Sequence, residues 1–173
     1  VLAAMNGMDV KVDALGGADM MAKQGGCSLV AETEDEALAL TAQVLTLLPG
    51  CNAEDAEIVD SDDMNRLLPT LAPADVSAIL NNLFDAGTSL ELKATYETGV
   101  RTVMGRIAGH SVGVVATQEG YLTAGALQKA ARFVHFMDCF NLPVVSLINT
   151  SGVKVDQLDN QSWLMNAQSQ LLY

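Results

Sequence analysis

Residues 111–153, SVGVVATQEGYLTAGALQKAARFVHFMDCFNLPVVSLINTSGV, decide the fold class. Residues 112–116, VGVVA, are apolar almost throughout, the pattern of a strand buried on both faces of a layered fold. Thr117 to Gly125 is a polar, glycine-containing loop. An amphipathic helix follows, with Leu127, Ala130, Phe133, Val134, Met137 and Phe140 on its inner face and Lys129 and Arg132 outward. Asn141-Leu142-Pro143 ends it and opens a second strand, PVVSLI, which runs into a small-residue turn at Asn149–Val153. Strand, helix and strand of one direction make a βαβ unit, so a parallel α/β sheet is expected. Ligands of such sheets lie beyond the carboxyl ends of the strands. The loop 117–125 and the turn 149–153 therefore fall on the same functional rim.

Working outward, Val100–Ile107 and Ser111–Ala116 read as a hairpin turning at Ala108-Gly109-His110. Ser89–Glu97 is open between strand and loop. Thr33 caps a helix with Glu34, Asp35 and Glu36 in its first turn, an apolar stripe of Ala37, Leu40, Val44, Leu47 and Leu48, and Pro49-Gly50 as its stop. Residues 50–75 are polar and acidic, and Asp60, Asp62 and Asp63 read as a solvated surface within a linker. Pro73 suits the first turn of a helix with Val76, Ile79, Leu80, Leu83 and Phe84 on one face, closed by Asp85-Ala86-Gly87. Leu158, Leu164, Ala167, Leu171 and Leu172 mark a final helix. Residues 1–31 hold Gly7 and the pairs Gly16-Gly17 and Gly25-Gly26 without periodicity, so loops and short turns are expected.

The chain has 173 residues, half of them hydrophobic and 17% charged, with a net charge of −12. That composition predicts a packed core. The charge argues against nucleic acid, whose phosphates need a basic footprint; a small anion could still be held at a helix N-terminus. No apolar run is long enough to span a membrane, so no insertion is expected. The start at Val1, without a signal-peptide pattern, and the end in a helical LLY suggest a piece of a longer chain. Cys27, Cys51 and Cys139 are odd in number and far apart, which fits reduced cytoplasmic thiols. Two histidines and no CxxC pair argue against a metal site.

No nucleophile–base–acid set, GxGxxG, P-loop or HExxH is present. The one arrangement with a mechanism is the turn after strand 143–148. There the backbone N–H groups of Gly152 and Val153 could face an anionic oxygen, an oxyanion hole needing no side chain. Most strand-to-loop turns contain such residues, so the turn alone is weak. His110 and His135 read as surface or boundary residues, Met20 and Met21 as core filler, and Lys129 and Arg132 as a solvated helix face.

The order of segments goes further. Leu15-Gly16-Gly17-Ala18, the helix ending Leu48-Pro49, Asp85-Ala86-Gly87 before Leu90-Glu91-Leu92, and Gly105-Arg106-Ile107-Ala108-Gly109 stand in sequence. Val112–Ala116 with Thr117-Gln118, Gly125-Ala126-Leu127, Lys129-Ala130-Ala131-Arg132-Phe133 and Asn141-Leu142-Pro143 follow. This order resembles the carboxyltransferase family of biotin-dependent acyl-CoA carboxylases and acyl-CoA decarboxylases. The resemblance implies part of a crotonase-like (ClpP/crotonase) α/β fold of repeated ββα units. It implies that residues 1–49 are the tail of an acyl-CoA-side domain, 50–72 a linker, and 73–173 the first part of a biotin-side domain.

The function implied is carboxyl transfer between carboxybiotin and an acyl-CoA. Gly152 and Val153 would be the oxyanion donors, and Thr117, Gln118, Gly125 and Thr150 would line the biotin side. Biotin would arrive on a carrier protein or domain, acyl-CoA as substrate, and the chain would form a homo-oligomer, a dimer or trimer of dimers, in the cytoplasm. The family's N-Q becomes Thr117-Gln118, and its D-x-P-G has Asn149 and Ser151 for the acid and proline. Further departures fall at Asp156, Asn160, Ser162-Trp163, Met21 and Gly26-Cys27. They cluster at the implied site, so an alternative is a degenerate subunit acting as an assembly module. A different crotonase-like acyl-CoA enzyme is the third reading.

Overall fold

The structure, a computed structural model, describes residues 16–154 other than 61, 64, 68, 73 and 74, and residues 161–172. Gly7, Leu15, Pro73, Asp156, Leu158 and Asn160 lie outside the described residues.

The predicted hairpin is the spine of the fold. Strands β2 (Val100–Ile107) and β3 (His110–Thr117) pair antiparallel from Val100↔Thr117 to Ile107↔His110. Ala108 and Gly109 alone turn the chain, at φ +51 and +81. A two-residue turn with both residues left-handed matches the twist of the strands it joins. His110 is thus the first residue of β3 rather than part of the turn. The Asp85 carboxylate accepts the N–H groups of Ala108 at 2.9 Å and Gly109 at 2.8 Å, fixing an alanine where glycine would be easier.

Strand β1 (Leu90–Leu92) adds antiparallel to β2, which resolves the open stretch 89–97. On the other side β5 (Val144–Leu147) runs parallel to β3, from Gly113↔Val144 to Ala116↔Leu147. The connection is helix α4 (Ala124–Cys139), so the βαβ unit is present. Thr123 caps α4 by accepting the Ala126 N–H at 3.0 Å. At the far end Asn141, at φ +55, turns the chain away and Leu142 N–H bonds Met137 O at 3.0 Å.

Both faces of the sheet are covered, as VGVVA predicts. On one face Leu127, Ala130, Phe133 and Met137 of α4 pack on Val100, Met104 and Val115. Leu164 and Ala167 of the final helix join that cluster, as does Leu47 of the helix Glu34–Leu47. On the other face the helix Val76–Leu83 brings Val76, Leu80 and Phe84 against Val103, Val112, Val114 and Ala116. Its N-cap is Asp75, whose carboxylate accepts the Ala78 N–H at 2.9 Å. Among the described residues the helices are, in order of the chain, α1 (Ala18–Lys23), α2 (Glu34–Leu47), α3 (Val76–Leu83), α4 and α5 (Gln161–Leu172).

Several expectations are corrected. Helix α1 lies where the glycines and missing periodicity predict loops and short turns; its N-cap Gly17 offers no side-chain bond, so no signal marks its start. Met21 is 39% exposed and does not fill the core. In α2 Ala37 is exposed, and only Leu47 of the apolar stripe is fully buried. Asp62 is not simply solvated: it accepts the Ala86 N–H at 3.0 Å and pairs with Arg66 at 2.9 Å. Arg66 also donates to Asn82 O and Phe84 O, both at 3.0 Å, so it caps the end of α3.

Lys129, expected outward, is 2% exposed. Its ammonium donates to Tyr96 O and Val100 O, each at 2.7 Å. Arg106 is buried likewise. It donates to Thr46 O at 2.6 Å, Glu57 O at 2.5 Å and Gly109 O at 2.7 Å, joining three separate segments.

Candidate functional site

The carboxyl ends of β3 and β5 lie side by side, and the two loops leaving them bond to each other. Thr117, the last residue of β3, accepts the Asn149 N–H on its hydroxyl at 2.6 Å. Gly120 O accepts the Ser151 N–H at 2.8 Å and faces the Thr150 hydroxyl at 2.9 Å. Lys154 N–H closes on Leu122 O at 2.8 Å. The expected turn at 152–153 is thus a short strand, β6 (Gly152–Val153), parallel to β4 (Tyr121–Leu122). Parallel alignment follows because both segments leave the sheet in the same direction over the same rim.

Two glycines shape the exposed side of this rim. Gly120 sits at φ +125 and Gly152 at φ +123, backbone conformations that a side chain strains. Among the described residues, apart from the chain neighbours, no atom lies within 4 Å of a Cβ built on either. A ligand could approach both backbones closely. Val153 instead packs partly against the main core. The Gly152 N–H is 3.2 Å from Thr150 Oγ1, a bond at the long limit. Thr150 Oγ1 also stands 3.1 Å from Gly152 O, which competes with Gly120 O for its single proton.

The other candidate residues form the second half of the rim. Gln118 N–H donates to Gly99 O at 2.9 Å, tying the loop to the turn between β1 and β2. Gly125 is buried, and the Glu97 carboxylate stands where its Cβ would be. Gly125 is therefore a seat for Glu97 rather than an open contact for a ligand. Glu97 has φ +46, and its Oε2 accepts the Thr123 hydroxyl at 2.6 Å. An acid here faces the first turn of α4, where the helix dipole favours negative charge. Neighbouring Tyr96 is pushed up from its ordinary value by burial and then by the Glu97 charge. Beside them opens a cavity of about 380 Å³ lined by Lys23, Tyr96, Glu97, Tyr121 and Thr123.

Sequence reasoning missed Glu97 because only the fold brings it to Gly125. Its one sequence signal is the short Glu97-Thr98-Gly99 turn before β2. His110 starts β3, at the end of the sheet away from the rim, and is exposed. His135 is exposed too, with Nε2 3.0 Å from Gln170 O of α5. Neither reaches the rim. Among the described residues no three His, Cys, Asp or Glu side chains are grouped to hold a metal ion. The chemistry of this rim is that of backbone donors, small hydroxyls and the Glu97 carboxylate set against the first turn of α4.

A family model described as the carboxyl transferase domain matches residues 1–173. The methylmalonyl-CoA carboxyltransferase 12S subunit of Propionibacterium freudenreichii subsp. shermanii is 37% identical over 166 residues, covering 88% of this chain and 32% of that protein. The methylmalonyl-CoA decarboxylase subunit alpha of Veillonella parvula is 33% identical over 178 residues, covering 94% and 35%. The chain thus spans about a third of the length of the curated relatives it matches. Among solved structures, transcarboxylase 12S with methylmalonyl-coenzyme A and methylmalonic acid bound superposes with a TM-score of 0.88 at 32% identity. That match covers 99% of this chain and 36% of the other. The expected crotonase-like α/β fold is the one observed. By sequence, over its whole length, and by fold, the chain belongs to the carboxyl transferase domain family.

Proposed function

We propose that this chain forms the biotin-facing part of a carboxyltransferase that moves a carboxyl group between carboxybiotin and an acyl-CoA. The observation carrying this reading is the pair of open, left-handed glycines, Gly120 and Gly152, held together across the rim by the Ser151–Gly120 bond. Biotin, attached to a carrier protein or domain, would supply the carried carboxyl group. Gly152 would offer its N–H to the oxygen on which negative charge grows, once its long bond to Thr150 Oγ1 is released. Thr150 would stay at hand as a hydroxyl donor, with Thr117 holding Asn149 and so the approach of the turn. Val153 would complete the backbone pair, and Gln118 and Gly125 would shape the loop opposite. A preorganised donor contributes about 3 kcal/mol to such a step, and release of the Thr150 bond would come out of that figure.

In this reading residues 1–49 end an acyl-CoA-side unit, 50–72 link, and 73–173 open the biotin-side unit of a cytoplasmic homo-oligomer. One relative, transcarboxylase 12S, is described as a hexamer. A second reading has an observation of its own. The Gly152 donor is already bonded within its turn, and Asn149 and Ser151 depart from the family pattern, as a non-catalytic assembly subunit would allow.

The experiment is transfer of labelled carboxyl from an acyl-CoA such as methylmalonyl-CoA to free biotin by the protein. Transfer that falls about a hundredfold in Gly152→Ala supports the first reading. No transfer, together with stable assembly onto a biotin-carrying partner, favours the second.

A further inference from the structure

A second cavity lies away from the rim, on the α4 face of the sheet. Its volume is about 290 Å³, and Val44, Met104, Phe133 and Phe136 form much of its apolar wall. Lys93, Lys129 and Arg132 also line it. Three cations on one apolar cavity are unexpected in a chain of net charge −12.

Among the described residues none of these cations is in an ion pair. The two ion pairs among the described residues are Arg66–Asp62 and Arg101–Glu91, neither of which includes them. Lys129 is 2% exposed and bonds two carbonyls. Lys93 donates to Gly25 O. The Arg132 guanidinium has no hydrogen bond or ion pair among the described residues. Glu91 and Glu97 add some negative field at Lys129, but Glu91 is held by Arg101 and Glu97 by Thr123. Burial lowers Lys129 to about 8 and also lowers Lys93, with Arg132 adding to the effect on Lys93. Two partly desolvated lysines beside an exposed guanidinium, none of them ion-paired among the described residues, favour an incoming anion.

We propose that this cavity binds a small amphiphile with an apolar body and a single terminal carboxylate, of about the size of octanoate. An apolar cavity of about 150 Å³ takes one benzene, so this one has room for about ten non-hydrogen atoms. The apolar body lies against Met104, Phe133 and Phe136, and the carboxylate pairs with Arg132 and Lys93 at the mouth. A planar guanidinium can grip a carboxylate with two parallel bonds. The site is independent of the rim and of the carboxyl-transfer reading.

The ε-methyl of Met104, a residue 1% exposed that lines the cavity, is the reporter. The protein carrying ¹³C-methyl methionine is titrated with octanoate, octanol and octylamine. Octanoate is expected to shift the Met104 signal saturably, octylamine to leave it in place, and octanol to bind more weakly than octanoate. Arg132→Gln changes an exposed side chain, so its melting temperature should match wild type while its octanoate affinity falls about tenfold. A Met104 signal that never moves overturns the proposal. So does equal binding of octylamine, undiminished binding in Arg132→Gln, or a shift confined to the exposed Met165.

Discussion

Lys129→Met tests how the core holds an ammonium without a carboxylate. Burial lowers Lys129 from its ordinary 10.5 to about 8 in the folded protein. Between those values the unfolded chain binds more protons than the folded one, so stability rises with pH. The contribution is full above 10.5 and is lost as pH falls through 8. Raising the pH from about 7 to about 9.5 captures about 2 kcal/mol of the full difference, and residual solvation lowers that to about 1–2 kcal/mol. Methionine has no such step, and it cannot donate to Tyr96 O and Val100 O, each of which costs about 1 kcal/mol or more when left without a partner. At neutral pH the burden of the buried charge offsets much of what those two bonds contribute. The stability gap between wild type and Lys129→Met should therefore widen by about 1–2 kcal/mol from pH 7 to 9.5. Urea unfolding followed by far-ultraviolet circular dichroism measures both proteins at both pH values. A gap that stays constant or narrows would refute the reasoning.

Gly105→Ala places a Cβ 2.6 Å from Phe84 Cδ1 and 3.1 Å from Ser89 Cα. Overpacking of that kind costs about 1–3 kcal/mol and should appear as a lower melting temperature. Asp85→Ala leaves the N–H groups of Ala108 and Gly109 without their acceptor; a loss of about 3 kcal/mol in denaturant unfolding is expected. Thr117→Val removes the acceptor of the Asn149 N–H. It should cost about 1 kcal/mol and speed exchange of the Asn149 amide while the Val114 amide stays protected.

The central βαβ unit was legible because its signals are local. VGVVA has no polar position to put in water, the α4 residues repeat at helical spacing, and Asn141-Leu142-Pro143 stops the helix. Lys129 was not legible for the opposite reason. It lies about 100° around the helix from Ala130, a boundary position by pattern alone. What buries it is the 96–100 segment, whose two carbonyls approach from over twenty-five residues away. The same holds at the rim. Small residues at 149–153 announced a turn, but its conversion to β6 depends on pairing with Tyr121-Leu122, a contact that no local spacing encodes. Glu97 on Gly125 is equally non-local. The segment 50–75 shows how composition misleads in detail. Its acids suggest solvent, yet Asp62 and Arg66 are placed by Ala86 and the end of α3.

Arg106 has a consequence in time rather than in energy alone. Its bonds to Thr46 O and Glu57 O span 60 and 49 residues of chain. Closing such spans costs more entropy than forming the β2–β3 hairpin, which has only a two-residue turn. The guanidinium should therefore engage after the main folding barrier, when the hairpin and its helix have already met. Interactions made that late leave the folding rate nearly unchanged and slow unfolding. Arg106 thus acts as a latch: α2 and the chain around Glu57 gain a long lifetime on the sheet without a faster route to it.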